Sequence, residues 1–158
     1  MTIDDYLDSE DFLLFLDETL RQQACQAVDF FLERNEPAAK TQLYSIPAMI
    51  QAKGLEGLNK LTEYQKEKNT NQTNKQFWEF VRTLIDVSGG QPPPFSLVSL
   101  VRQELTNNNL LDNEARVSEK AEQKKIRKAN RNLTIKVMER ALPVYFEHFN
   151  CHYFYKSR

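Results

Sequence analysis

Along most of the chain, apolar residues recur at steps of three and four, the period of a helix packed on one side. Leu13, Leu16, Leu20, Ala24, Ala27 and Phe31 form the first such stripe, widened by Phe12, Phe15, Val28 and Phe30. Ser9 is placed to cap it, with Glu10 and Asp11 in the first turn, where negative charge suits the helix dipole. The pattern predicts a core-packed helix over 9–35. Pro37 suits the first turn of a second helix, and Pro47 is expected to kink or restart it, because Ile46 before it is pushed from helical geometry. Gly54 ends that segment. Leu55, Leu58 and Leu61 open another helix, with Glu63, Lys66, Glu67 and Lys68 on its wet side. The polar run Asn69 to Asn74 reads as a loop, and Thr73 with Gln76 has capping-box spacing ahead of Phe77, Trp78, Phe80, Val81, Leu84 and Ile85. Trp78 reads as a core anchor.

The stretch SGGQPPPF, Ser88 to Phe95, is the one clear break, and it reads as a corner between helices. A helix over about 97–105 follows, then the loop TNNN. The last element is expected to run as a long helix over 113–147. Val117, Ala121, Lys125, Ala129, Leu133, Val137 and Ala141 give it a weak stripe, richly apolar only after Leu133, so its first half should project from the core or lie on a partner. Pro143 should bend or restart it, leaving the aromatic tail 148–158. These elements predict an all-α fold: a compact bundle of about five to six helices in a single domain, 37–106 forming its middle.

Composition narrows this picture. The 158 residues hold only 4 Gly and 6 Pro, too few turn signals for a many-stranded sheet, while 41% hydrophobic residues suffice for a core. No apolar run approaches a membrane span and the acidic start is unlike a secretory leader, so a soluble, cytoplasmic protein is expected, with no membrane partner. Cys25 and Cys151 lie far apart and form no metal or disulfide pattern; Cys25 reads as a small buried apolar residue.

Charge changes the picture most. Formal charge is −8 over Met1 to Glu36, 0 over Pro37 to Ala115 and +7 over Arg116 to Arg158. Such a split serves either head-to-tail assembly or an acidic protein-facing end opposite a basic, anion-facing one. Lys120, Lys124, Arg127, Lys128 and Arg131 fall along one side of a helix, where a phosphate backbone could run with sequence-independent affinity. Lys125 and Lys136 add to the positive charge nearby.

Other chemistry finds little footing. The glycine pairs lack the spacing and the Lys-Ser or Lys-Thr of a phosphate loop, and neither HExxH nor GxSxG occurs. His148 and His152 have the spacing to share a metal on a helix, but no third ligand is evident; the acidic cluster Asp4, Asp5, Asp8, Glu10 and Asp11 lacks a calcium-loop pattern. The reading is a non-enzyme with no catalytic residues, metal or cofactor.

The segment LYSIPAMIQAKGLEGLNKLTEYQKEKN resembles the small subunit of type III CRISPR effector complexes, particularly the Cmr-type. The resemblance rests on Ile46-Pro47, then Ala48-Met49-Ile50, Gln51-Ala52-Lys53, Gly54-Leu55, and Leu58 with Leu61, followed by the aromatic helix of Phe77, Trp78 and Leu84. It covers roughly 42–85. The acidic first helix, SGGQPPPF and the basic last helix make this chain longer than the usual pattern. The resemblance implies a non-catalytic helical bundle within a ribonucleoprotein of antiviral defence, contacting guide or target RNA, neighbouring subunits and copies of itself. Lys53 and Lys60, flanking the Gly-Leu segment, join the basic residues as candidate RNA contacts. The alternative is a helical adaptor that binds only proteins.

Overall fold

The computed structural model describes residues 1–87 and 95–157. All regular structure among them is helical: α1 Ile3–Leu7, α2 Glu10–Leu14, α3 Leu20–Arg34, α4 Lys40–Lys68, α5 Gln72–Ile85, α6 Leu97–Asn107 and α7 Lys120–Lys156. The fold is therefore all-α. Helix α7 is its spine, packing against α3, α4 and α6, while α5 lies on α4 and α6. Apart from Phe95, the SGGQPPPF corner lies outside the described residues; Phe95 packs on Phe30 with ring centroids 5.3 Å apart.

Ser9 caps α2 as expected, its hydroxyl oxygen accepting the Phe12 N–H at 3.2 Å. The first stripe is nevertheless shifted. A wide π turn, Phe15–Thr19, joins α2 to α3 and adds a residue to the register. The buried series becomes Phe12, Phe15, Leu20, Ala24, Ala27 and Phe31, and Leu13 is turned outward, 62% exposed. Cys25 is only half-buried, a correction to its reading as a buried residue.

Neither internal proline breaks its helix. Pro47 lacks the N–H that would reach the Leu43 carbonyl one turn back, and the Asn150 amide of α7 donates to that carbonyl instead, at 3.3 Å. The real break in α4 is Gly54, at φ 62° and ψ −149°. Only glycine takes that conformation readily. Past it, the free Leu55 N–H donates to both carboxylate oxygens of Glu139 at 3.2 Å, so α7 caps the second half of α4. Pro37 stands ahead of α4, which starts at Lys40, and α5 is capped by Asn71 instead of Thr73.

The final helix differs from expectation at both ends. Residues 113–119 form a short 3-10 turn, Glu114–Arg116, and extended chain, and α7 then runs unbroken through Pro143 to Lys156. The aromatic tail belongs to it because Met138, Leu142, Tyr145, Phe149 and Tyr153 continue one buried stripe. In the first half of α7 the inward positions are Gln123, Ile126, Asn130 and Leu133, while Ala121, Lys125 and Ala129 are exposed. A spacing of strictly four drifts around a helix of 3.6 residues per turn; alternating three and four does not.

Two buried tyrosines on α7 make opposite use of their hydroxyls. The Tyr153 hydroxyl accepts the buried Ala38 N–H at 2.7 Å, whereas the Tyr145 hydroxyl has no hydrogen-bond partner among the described residues and burial drives its pKa upward. Tyr153→Phe should cost about 1–3 kcal/mol by stranding that N–H, while Tyr145→Phe should be neutral or stabilising by up to about 1 kcal/mol. Urea denaturation of the two variants checks both signs.

Candidate nucleic-acid interface

The first half of α7 has little apolar surface to hold it, and polar clamps from the preceding connector do so instead. The Asp112 N–H donates to Asn130 Oδ1 at 3.0 Å, and Asn130 Nδ2 donates back to the Asp112 carbonyl at 2.8 Å. Gln123 donates to the Val117 carbonyl at 2.8 Å, and Arg127 pairs with Glu114 on the 3-10 turn. That pairing holds the Glu114 carboxyl below its ordinary pKa. With the connector lying along one side of α7, Lys120, Lys124, Lys128 and Arg131 remain exposed.

At about 100° per residue, those four side chains share an arc of roughly 80°, and a rise of 1.5 Å per residue makes the ridge about 17 Å long. Among the described residues, no carboxylate lies within 4 Å of any of the four. Arg127 sits at the edge of the arc, and Glu114 neutralises much of its charge. Lys125 pairs with Glu122 at 3.5 Å, and Lys136 with Asp4 at 2.9 Å. Asp4 thereby ties part of the acidic N-terminal segment to α7 within the chain.

Lys53 and Lys60 are exposed but stand apart from the ridge. They border a groove on α4 with Met49, Gly57 and Tyr64, whereas Arg131 borders a separate cleft with Glu63, Arg82 and Asp86. Lys60 lies on the side of α4 opposite its buried positions Leu55, Leu58 and Thr62, and pairs with Glu56 at 3.1 Å. Tyr64 belongs to no motif in the sequence, although Lys60 and Lys68 flank it at four residues on either side, a spacing that puts all three on one face.

His148 and His152 take separate partners: His148 Nε2 lies 3.3 Å from the Leu16 carbonyl, and His152 Nε2 2.8 Å from an Asp29 carboxylate oxygen. Among the described residues, no three His, Cys, Asp or Glu side chains are grouped to hold a metal, and no helix is long and apolar enough to cross a membrane. An apolar groove of about 620 Å³ opens between α4 and α7, lined by Tyr44, Pro47, Ile50, Pro143, Phe146 and Phe154 among others.

Fold and surface together define a helical bundle carrying a solvent-facing basic ridge braced from one side. Comparison of the chain with protein-family models, with curated proteins and with solved structures finds no match.

Proposed function

We propose that this chain is a non-catalytic, RNA-binding structural subunit of a ribonucleoprotein effector, the role implied by its resemblance to the type III CRISPR small subunits. The observation that carries the reading is the line of four exposed cations on α7, Lys120, Lys124, Lys128 and Arg131, with no carboxylate within 4 Å of them among the described residues. A protein that needed these lysines only for solubility would gain by pairing them, as Lys125 is paired with Glu122 along the helix and Lys136 with Asp4 of α1. Left unpaired and in line, they offer a track for a phosphate backbone.

Changing the four ridge cations themselves, Lys120, Lys124, Lys128 and Arg131, to Glu tests it and leaves the Arg127–Glu114 brace intact. Affinity for a generic single-stranded RNA at 0.1 M salt should fall by about 100-fold or more, with the helical content unchanged by circular dichroism. These side chains are exposed, so the fold should survive the exchange.

A second reading, a helical adaptor that binds only proteins, draws on the apolar groove between α4 and α7, which a partner helix could fill. It predicts a partner captured equally well before and after nuclease treatment, and an RNA affinity unmoved by the four substitutions.

A further inference from the structure

The groove on α4 that holds Lys53 and Lys60 has a construction of its own. Its floor is apolar, made by Met49, Leu61 and the bare backbone of Gly57, and its volume is about 180 Å³. Gly57 is what keeps it open: a Cβ there would collide with the Lys53 Cβ and press on the Met49 sulfur at 3.1 Å. The Gly54 break swings the preceding turn across this point, so glycine is required by a close approach and not by backbone angle. One wall is Tyr64, a large aromatic ring 56% exposed. The rim is cationic, with Lys53 and Lys60 bordering the groove and the Lys68 ammonium 5.3 Å from the Tyr64 ring centroid.

Tyr64 offers an exposed aromatic face, and a ring of lysines around an apolar slot is a poor seat for an apolar protein helix. The combination suits a flat, apolar-faced group that brings its own negative charge. A nucleobase has that shape, its phosphate supplies that charge, and every base has a π face for the ring. We propose that this groove is a stacking subsite for one unstacked base of single-stranded RNA: the base lies on Tyr64 over the Met49–Leu61 floor, and Lys53 and Lys60 take the flanking phosphates. Glu56 holds Lys60 in the unbound state and releases it to the incoming phosphate. The inference rests on the RNA-binding reading and deepens it, because it specifies single strands: in a duplex the bases are stacked on each other and cannot enter.

The test uses the full chain with a single-stranded RNA carrying 2-aminopurine, whose fluorescence falls when the base stacks, alongside a duplex of the same length. The proposal expects quenching by the wild type, tighter binding to the single strand than to the duplex, and an affinity loss of about 5- to 150-fold in Tyr64→Ala. Quenching should vanish in Tyr64→Ala and persist in Tyr64→Phe, and the salt dependence should be the same in all three, since stacking releases no counterions. Tyr64 is exposed, so these variants should fold. If the wild type binds RNA but Tyr64→Ala binds and quenches equally, the subsite is overturned while the ridge reading stands. If the four-fold ridge variant loses binding and Tyr64→Ala does not, RNA is held by the ridge alone and the subsite is again refuted. If the wild type binds no RNA even at low salt, both fall, and protein capture by the apolar groove between α4 and α7 becomes the reading to pursue.

Discussion

Gly54→Ala should destabilise the protein by about 1.5–5 kcal/mol, more than an ordinary surface Gly→Ala exchange. Two costs combine. The backbone angles of Gly54, φ 62° and ψ −149°, lie in a region nearly closed to residues with a side chain, at about 1–3 kcal/mol. A Cβ there would also collide with the Glu139 carboxylate, and moving that carboxylate away uncaps the Leu55 N–H, a further loss of about 0.5–2 kcal/mol. Glu139→Ala alone should show only the second cost. In the double variant the collision is absent, so the combined loss should be smaller than the sum of the two single losses. Urea denaturation of the wild type, both single variants and the double variant measures that difference; strict additivity would mean that α7 does not cap α4.

Trp78→Ala should cost about 3–5 kcal/mol, the range for emptying a large buried aromatic site. Trp78 is fully buried, meets Phe77 edge-on with centroids 5.2 Å apart, and donates its indole N–H to Gln42 Oε1 at 2.7 Å. That bond stitches α5 to α4 near the start of α4. Trp78→Phe retains most of the bulk and gives up the bond, so its cost should be nearer 1–2 kcal/mol. Because Trp78 is the only tryptophan, unfolding of both variants is best followed by far-ultraviolet circular dichroism.

The fold was largely legible in the sequence where apolar spacing was dense. Phe77, Trp78, Val81, Leu84 and Ile85 repeat at three and four and are buried as that spacing requires. Two of the differences share a cause: at each proline, packing from a distant part of the chain decided the local outcome. Pro47 looks like a break until Asn150, over a hundred residues away, supplies the missing bond to the Leu43 carbonyl. The aromatic tail looked irregular because Pro143 precedes it, yet burial of Phe149 and Tyr153 outweighs the lost hydrogen bond. The π turn at Phe15–Thr19 leaves no mark in spacing alone, since the apolar run there is rich enough to fit either register.

The basic ridge was visible as charge spacing, because positions on one helix face follow from the period alone. What spacing could not say was which cations are already spoken for. Arg127 is taken by Glu114 only because the connector folds back over the first half of α7, and Lys53 and Lys60 stand away from the ridge because α4 turns them to its outer face. Tyr64 was the omission with most consequence. Its exposure follows from the opposite side of α4 being the packed one, a fact that the three apolar residues Leu55, Leu58 and Leu61 half encode.

The central claim is that the ridge on α7 holds an RNA backbone, and the most direct measurement is the logarithm of RNA affinity against the logarithm of salt concentration. The four free cations on α7 contribute about −3 to the slope of the wild type on a single strand, so the slope should flatten by about that much in the variant with Lys120, Lys124, Lys128 and Arg131 changed to Glu. A wild type that binds no RNA at low salt, or a variant that keeps the wild-type slope, would contradict it.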